Sequence, residues 1–327
     1  MFLRSVAGTL PGFLPPVPVA PAKGRCVRRA AGTDEEAELR ELRFRGVALL
    51  LGATALRRLQ RAHAAVLGLG GVGSWVVEAL ARSGLGGLTL VDMDDICISN
   101  TNRQLHTLGQ TVGRPKAEVL AERVREINPD CVVDVVQDFF VSETESLILD
   151  RRRFDVVVDA IDGVANKCQL IHGCRTRQIP VVVSGGLGGK VDPTLFREED
   201  MTRVEGDGLT RRVRNTLRQR YGYPAGSRKK KKWGIPVVFS PEPPQFYGPT
   251  ASQAPKGRKT CDTSYGTFCP AAGAQGFALA AAALRFGPQL ERLQGLGRGG
   301  EYLCSNCSSL YEGSRPPEFQ NFKGSGG

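Results

Sequence analysis

Between positions 68 and 162 the chain carries side chains whose types and spacing suit phosphate chemistry. The run Gly68-Leu69-Gly70-Gly71-Val72-Gly73 follows apolar Ala64-Ala65-Val66-Leu67 and precedes Ser74 to Arg82, which has helical composition. Glycines between a strand and a helix let backbone N–H groups approach a phosphate without interference from Cβ atoms, at the positive end of the helix. Gly68, Gly70, Gly71 and Gly73 are the candidate cradle. Asp92 ends the next strand, Leu88-Thr89-Leu90-Val91, where a carboxylate can bond both ribose hydroxyls. Up to this point NAD and ATP fit equally well. The next residues favour a triphosphate: Ser99-Asn100-Thr101-Asn102-Arg103-Gln104 comes just after that strand, and Lys116 opens the next helix. In-line attack on the α-phosphate of ATP releases pyrophosphate, whose charge Arg103 and Lys116 would neutralise while Asn100 and Asn102 orient it. Asp159 and Asp162, in Asp-Ala-Ile-Asp at the end of a further strand, offer a carboxylate that could hold Mg²⁺ between phosphate oxygens.

These residues need strands and helices to position them. Asp34 to Arg45 and Gly46 to Gln60 read as two helical segments, and Lys116 to Ile127 as a third, stopped by Asn128-Pro129. Cys131 to Val136, Phe154 to Val158 and Val181 to Val183 read as strands. Such alternation predicts an α/β fold, a Rossmann-like doubly wound and mostly parallel sheet. The expected domain runs from 34 to 294. A basic insertion is expected over 209–260: Leu209 to Lys232 holds Arg211, Arg212, Arg214, Arg218, Arg220, Arg228 and Lys229 to Lys232 without an acidic residue, and a strand-like Pro236 to Ser240 comes after it. Phe277 to Phe286 reads as a small-residue helix, and 295–327 as a disordered tail.

Composition narrows the classes further. With 327 residues, 41% hydrophobic and 24% charged, a collagen, a coiled coil and a wholly disordered chain are excluded. No apolar run reaches the roughly 18 residues of a spanning helix. The net charge of +11 suggests a polyanionic partner, and the basic stretch is where a nucleic-acid backbone would be gripped. Nine cysteines, an odd number scattered through apolar segments, fit a reducing compartment. Met1 to Thr33 lacks acidic residues but holds Arg4, Lys23, Arg25, Arg28 and Arg29, which predicts a transit peptide to chloroplast or mitochondrion.

GLGGVGSW at 68 to 75, VDMDDICISNTNRQLH at 91 to 106, the Lys116 helix and VVDAIDG at 157 to 163 resemble the adenylating superfamily of ThiF, MoeB and the ubiquitin-activating enzymes. Ser74-Trp75, the Asp-Met-Asp-Asp run, Ile127-Asn128-Pro129 and SGGLGGKVD at 184 to 192 resemble its tRNA threonylcarbamoyladenosine dehydratase branch most closely. The resemblance implies a homodimer binding ATP and Mg²⁺. It places the glycines and Asp92 on the nucleotide, Ser99 to Arg103 and Lys116 on the phosphates, and Asp162 at the metal, with Arg103, Lys116 and Asp162 as the catalytic set. It also implies the reaction: ATP activates the carboxyl group of threonylcarbamoyladenosine beside the tRNA anticodon, and a neighbouring nitrogen closes a ring with net loss of water. The alternative within the superfamily is activation of a ubiquitin-like or sulfur-carrier C-terminus, and a sulfur-relay protein is a further partner the resemblance admits. Relatives with structural zinc use two Cys-x-x-Cys pairs, whereas this chain has one, Cys304 to Cys307, so zinc is not expected. Cys261 and Cys269 fall where some relatives place a transferring cysteine, and Arg45 stands near a position where relatives carry an additional arginine.

Overall fold

The computed structural model describes residues 33–225, 232–245 and 265–286. The expected leader and tail, Cys261, the Cys304 to Cys307 pair and Arg228 to Lys231 lie outside the described residues. The chain divides into two compact units, residues 1–43 and 44–327. The first is described only as the opening of helix α1 (Thr33–Leu51), and the second carries the sheet. The sequence predicts two helices that part at Arg45, yet α1 continues to Leu51 and α2 (Ala53–Arg61) begins after Gly52. Gly52 has φ of 91°, a left-handed conformation that glycine adopts without Cβ strain, so the break falls there.

Seven strands build the sheet: β1 (His63–Leu67), β2 (Gly87–Val91), β3 (Val132–Val136), β4 (Val156–Asp159), β5 (Val181–Ser184), β6 (Arg197–Asp200) and β7 (Pro236–Phe239). They lie in the order β3-β2-β1-β4-β5-β7-β6, all parallel except the antiparallel β6. Strands β1, β2, β4, β5 and β7 are buried along their whole length, as Val-, Leu- and Ala-rich segments covered on both faces must be. Helices α3 (Gly73–Arg82), α4 (Lys116–Ile127) and α8 (Cys269–Phe286) share one core, through Val76, Leu80, Leu120, Leu279 and Ala283. Helices α5 (Glu145–Leu149), α6 (Val164–Thr176) and α7 (Gly208–Tyr221) share the other, through Leu149, Ile171, Cys174, Val213 and Leu217. The doubly wound α/β expectation is met.

The basic insertion expected over 209–260 differs in its first part. It opens with α7, whose Val213 and Leu217 are fully buried, and the strand-like stretch is β7, seated between β5 and β6. Val213 and Leu217 lie four positions apart, one helical turn, so even a helix crowded with arginine has an apolar stripe to bury. Helix α8 also starts earlier than Phe277. Its small residues let it approach α3 closely: a Cβ on Gly276 would lie 2.5 Å from the Trp75 Cβ. Among the described residues no helix is long and apolar enough to cross a membrane.

His63 sits at the amino end of β1, 6% exposed, with Nε2 2.9 Å from Thr89 Oγ1 and its backbone N–H donating to Asp155. Burial, helped by Arg152, pushes its pKa down to about 4 against the opposing pull of Asp134 and Asp155. The unfolded chain therefore binds this proton more readily than the folded one. The contribution is intact above pH 6.5 and is lost as pH falls towards 4, amounting to about 2 to 3 kcal/mol. Urea unfolding at pH 7 and pH 4.5 should show a smaller loss in His63→Gln than in the unmodified protein; equal losses would remove His63 as the cause.

Candidate active site

Strand order reverses between β1 and β4, so their carboxyl ends open the crevice in which a doubly wound sheet takes its ligand. The glycine turn leaves β1 at this point, and Asp159 to Gly163 leave β4 beside it. The two turns touch: a Cβ on Gly68, whose φ is 87°, would lie 2.8 Å from the Ala160 carbonyl oxygen. A Cβ on Gly73 would lie 1.8 Å from the Gly68 carbonyl oxygen. Only glycine serves at either position. No side chain caps α3, but its first-turn amides are taken within the chain, Ser74 N–H by Gly70 O and the Trp75 and Val76 N–H groups by Val72 O, so an anion here would meet the amides of the glycine turn at the positive end of the helix. Gly70 and Gly71 face the 99–104 segment, with Gly71 under the Arg103 stem, where a Cβ would lie 3.2 Å from Arg103 Cγ.

Asp92 ends β2 as expected and is half-buried, with its carboxylate bracing the turn. Oδ2 accepts from Leu69 N–H at 2.6 Å, and Oδ1 accepts from Asp94 N–H at 2.9 Å. Lys116 is buried at the start of α4, where Nζ donates to Asp94 Oδ2 at 2.7 Å. Arg103 is half-buried; Nη1 donates to Ser99 O at 3.0 Å and to Asn102 Oδ1 at 2.9 Å, and its own carbonyl accepts from Trp75 Nε1 at 3.0 Å. Asn102 donates to Thr267 O at 2.6 Å, tying this loop to the segment before α8. Asn100 is buried, and its Oδ1 accepts from Cys97 N–H at 3.1 Å, so its carboxamide oxygen shapes the loop. Ser99 is exposed and donates to Cys97 Sγ, a hydrogen bond that lowers the thiol pKa. Behind the loop, burial together with Lys116 pushes the His106 pKa down to about 4, so its ring is neutral at pH 7. Arg45 and Cys269 are both exposed, on α1 and at the start of α8.

The two carboxylates after β4 differ, and one expectation is corrected. Asp159 is not free to hold a metal: it is fully buried and pairs with Lys167 at 2.9 Å. Burial pushes its pKa up, against the attraction of Lys167 and the hydrogen bond from Ile161 N–H. Asp162, by contrast, is exposed at the turn. Sequence reasoning missed Lys167, although a signal existed. It interrupts the apolar stripe Val164, Cys168, Ile171 and Cys174 of α6, where a lysine must find a buried partner.

A model of the "ThiF family" matches residues 43–289. The chain belongs to the ThiF family. It is 44% identical over 226 residues to the tRNA threonylcarbamoyladenosine dehydratase of Haemophilus influenzae, covering 69% of this chain and 85% of that one. It is 42% identical over 251 residues to the Escherichia coli protein of the same name, covering 74% of this chain and 92% of that one. The E. coli dehydratase TcdA, solved in complex with ATP, superposes with a TM-score of 0.68 at 38% identity, covering 78% of this chain and 96% of TcdA.

ATP fits the residues present: a helix start without a side-chain cap, a turn with glycine at four of its six positions, and Arg103 lying across it. Mg²⁺ fits in a narrower sense. The exposed Asp162 could lend one carboxylate to an ion whose other ligands would be phosphate oxygens. Gly73→Ala should unfold the turn and abolish ATP binding. Gly71→Ala should keep the fold, displace Arg103 and weaken ATP roughly tenfold by calorimetry, about 1.4 kcal/mol; native affinity would separate Arg103 from the cradle.

Proposed function

We propose that this protein is an ATP-dependent tRNA threonylcarbamoyladenosine dehydratase. One observation carries the reading: the chain is 42% identical to the E. coli dehydratase over 92% of that protein's length. A carboxylate is a poor electrophile, and joining it to a phosphoryl group supplies a leaving group. The substrate carboxylate attacks phosphorus and displaces the outer phosphates. Arg103 and Lys116 stabilise the departing charge, while the amides of the glycine turn, at the positive end of α3, hold what remains. The neighbouring ureido nitrogen then attacks the activated carbonyl carbon, loses its proton and expels the phosphate ester, closing the ring. The oxygen lost from the substrate leaves on phosphorus. Mg²⁺, when bound, supplies charge neutralisation, and Asp162 is the residue that would hold it.

The outward face of α7 supports a tRNA partner. Asp207 caps this helix and also accepts from Gly186 N–H at 2.9 Å, which fixes its start at the carboxyl edge of the sheet. Arg211, Arg212 and Arg220 are exposed. Arg214 instead donates to Met201 O and Val204 O, and Arg218 lies over the Trp233 ring at 5.6 Å. Exposed apolar Ile98, Leu108 and Val112 beside the site support a homodimer. The acid-free, arginine-bearing Met1 to Thr33 supports an organellar address, chloroplast or mitochondrion.

The test is mass spectrometry of tRNA nucleosides after incubating the protein with ATP, Mg²⁺ and threonylcarbamoyl-modified tRNA. The modified nucleoside should lose one water, and Asp162→Ala or Lys116→Ala should abolish the loss. Unchanged tRNA alongside bound ATP would favour activation of a carrier-protein C-terminus. In salt titrations of tRNA binding, Arg211→Ala, Arg212→Ala and Arg220→Ala should each reduce the slope by about 0.7 to 0.9. Arg214→Ala should leave the slope unchanged and lower the melting temperature.

A further inference from the structure

Among the described residues the Lys167–Asp159 pair is the ion pair with both side chains fully buried, at 1% and 0% exposure. Two charges withdrawn from water cost more than an apolar pair of the same volume gains, so stability alone is weak grounds for keeping them. Their position in the fold gives another reason. Asp159 is the last residue of β4; one carboxylate oxygen takes both the lysine and the Ile161 N–H, at 2.9 and 3.1 Å, and the other has no partner. The same ammonium lies 3.4 Å from the Asp159 carbonyl oxygen and 3.5 Å from Oγ of Ser184, the last residue of β5. A single buried cation thus gathers the carboxyl ends of two adjacent strands.

The segment it bends is Asp159 to Asp162. Ala160 abuts Gly68 of the glycine turn, the Ile161 N–H is folded back onto Asp159, and Asp162 is exposed at the next position. Without the ammonium, Asp159 would be a lone buried carboxylate; it would take up a proton or draw in water, and its hold on Ile161 would weaken. We propose that Lys167, acting through Asp159, is a positioning residue that sets the path of 160–162 and so the place of Asp162 against the nucleotide's phosphates. The inference rests on the assignment of Asp162 to that end of the nucleotide, and it does not depend on tRNA.

A double-mutant cycle read by ATP calorimetry in the presence of Mg²⁺, with melting temperatures in parallel, tests it. Lys167→Met should weaken ATP tenfold or more in the unmodified background. In the Asp162→Ala background it should weaken ATP no further, because the residue it positions is gone, while its effect on melting temperature persists in both. Equal affinity losses in the two backgrounds, or a lowered melting temperature with native ATP affinity, would overturn the proposal. So would an Asp162→Ala protein that binds ATP normally. Should Lys167→Met fail to fold, Lys167→Met with Asp159→Asn, which leaves no buried charge, is carried through the same cycle and judged by the same outcomes. Non-additive ATP binding together with unaltered tRNA would overturn the dehydratase reading and leave the positioning role standing.

Discussion

The site depends on one steric fact: two turns at neighbouring strand ends pack backbone against backbone. Gly73 lies against the Gly68 carbonyl and Gly68 lies against Ala160, with no room for a Cβ at either glycine. That contact ties the first βα turn to the loop after β4, so the cradle and Asp162 share one local frame. A looser junction would let the phosphate amides and the carboxylate drift apart, and orientation is the largest part of what a phosphoryl-transfer site provides.

Around this junction the charged side chains fall into two kinds. Asp92, Asp94, Asp159 and Lys167 are largely spent on the protein itself, bracing loops and strand ends. Arg103, Lys116 and Asp162 are set on that bracing, and Lys116 shows how closely the kinds are joined, since its ammonium already rests on Asp94. Such a pairing neutralises a buried lysine at modest cost while keeping it at the mouth of the crevice. The Asn102 contact to Thr267 joins the Arg103 loop to residues far along the chain, so the cationic side of the site is fixed by sequence-distant contacts.

Much of this is legible in the residues. The glycine turn, the strand ends at Asp92 and Asp159, and helix α4 over Lys116–Ile127 arise from turn chemistry and apolar runs, which are local. Less legible are the elements whose identity is settled by packing. Strand β6, Arg-Glu-Glu-Asp, has no apolar residue and exists because β7 offers it an antiparallel partner. Helix α7 is so rich in arginine that its stripe of Val213 and Leu217 reads as part of an insertion. Within the site, Asp159 and Asp162 are alike in sequence, and what sets the buried one apart from the exposed one is its pairing with Lys167, a residue on another element. Composition cannot divide the α7 arginines into an exposed face and a structural set, because that division depends on which carbonyls and rings the helix meets.

The two margins of the sheet are unlike. Strand β6 closes one margin with four charged residues, a sequence that discourages another chain from adding to it. Strand β3 forms the other with Val-Val-Asp-Val-Val, only partly covered and with Val132 56% exposed. Of the two described margins, β3 is the more favourable for a further strand to join. Its sole charged side chain, Asp134, is already engaged by Arg152 and does little to repel a newcomer. Pairing with another strand is thus opposed by charge at the β6 margin and by little at the β3 margin, on the far side of the sheet from β6.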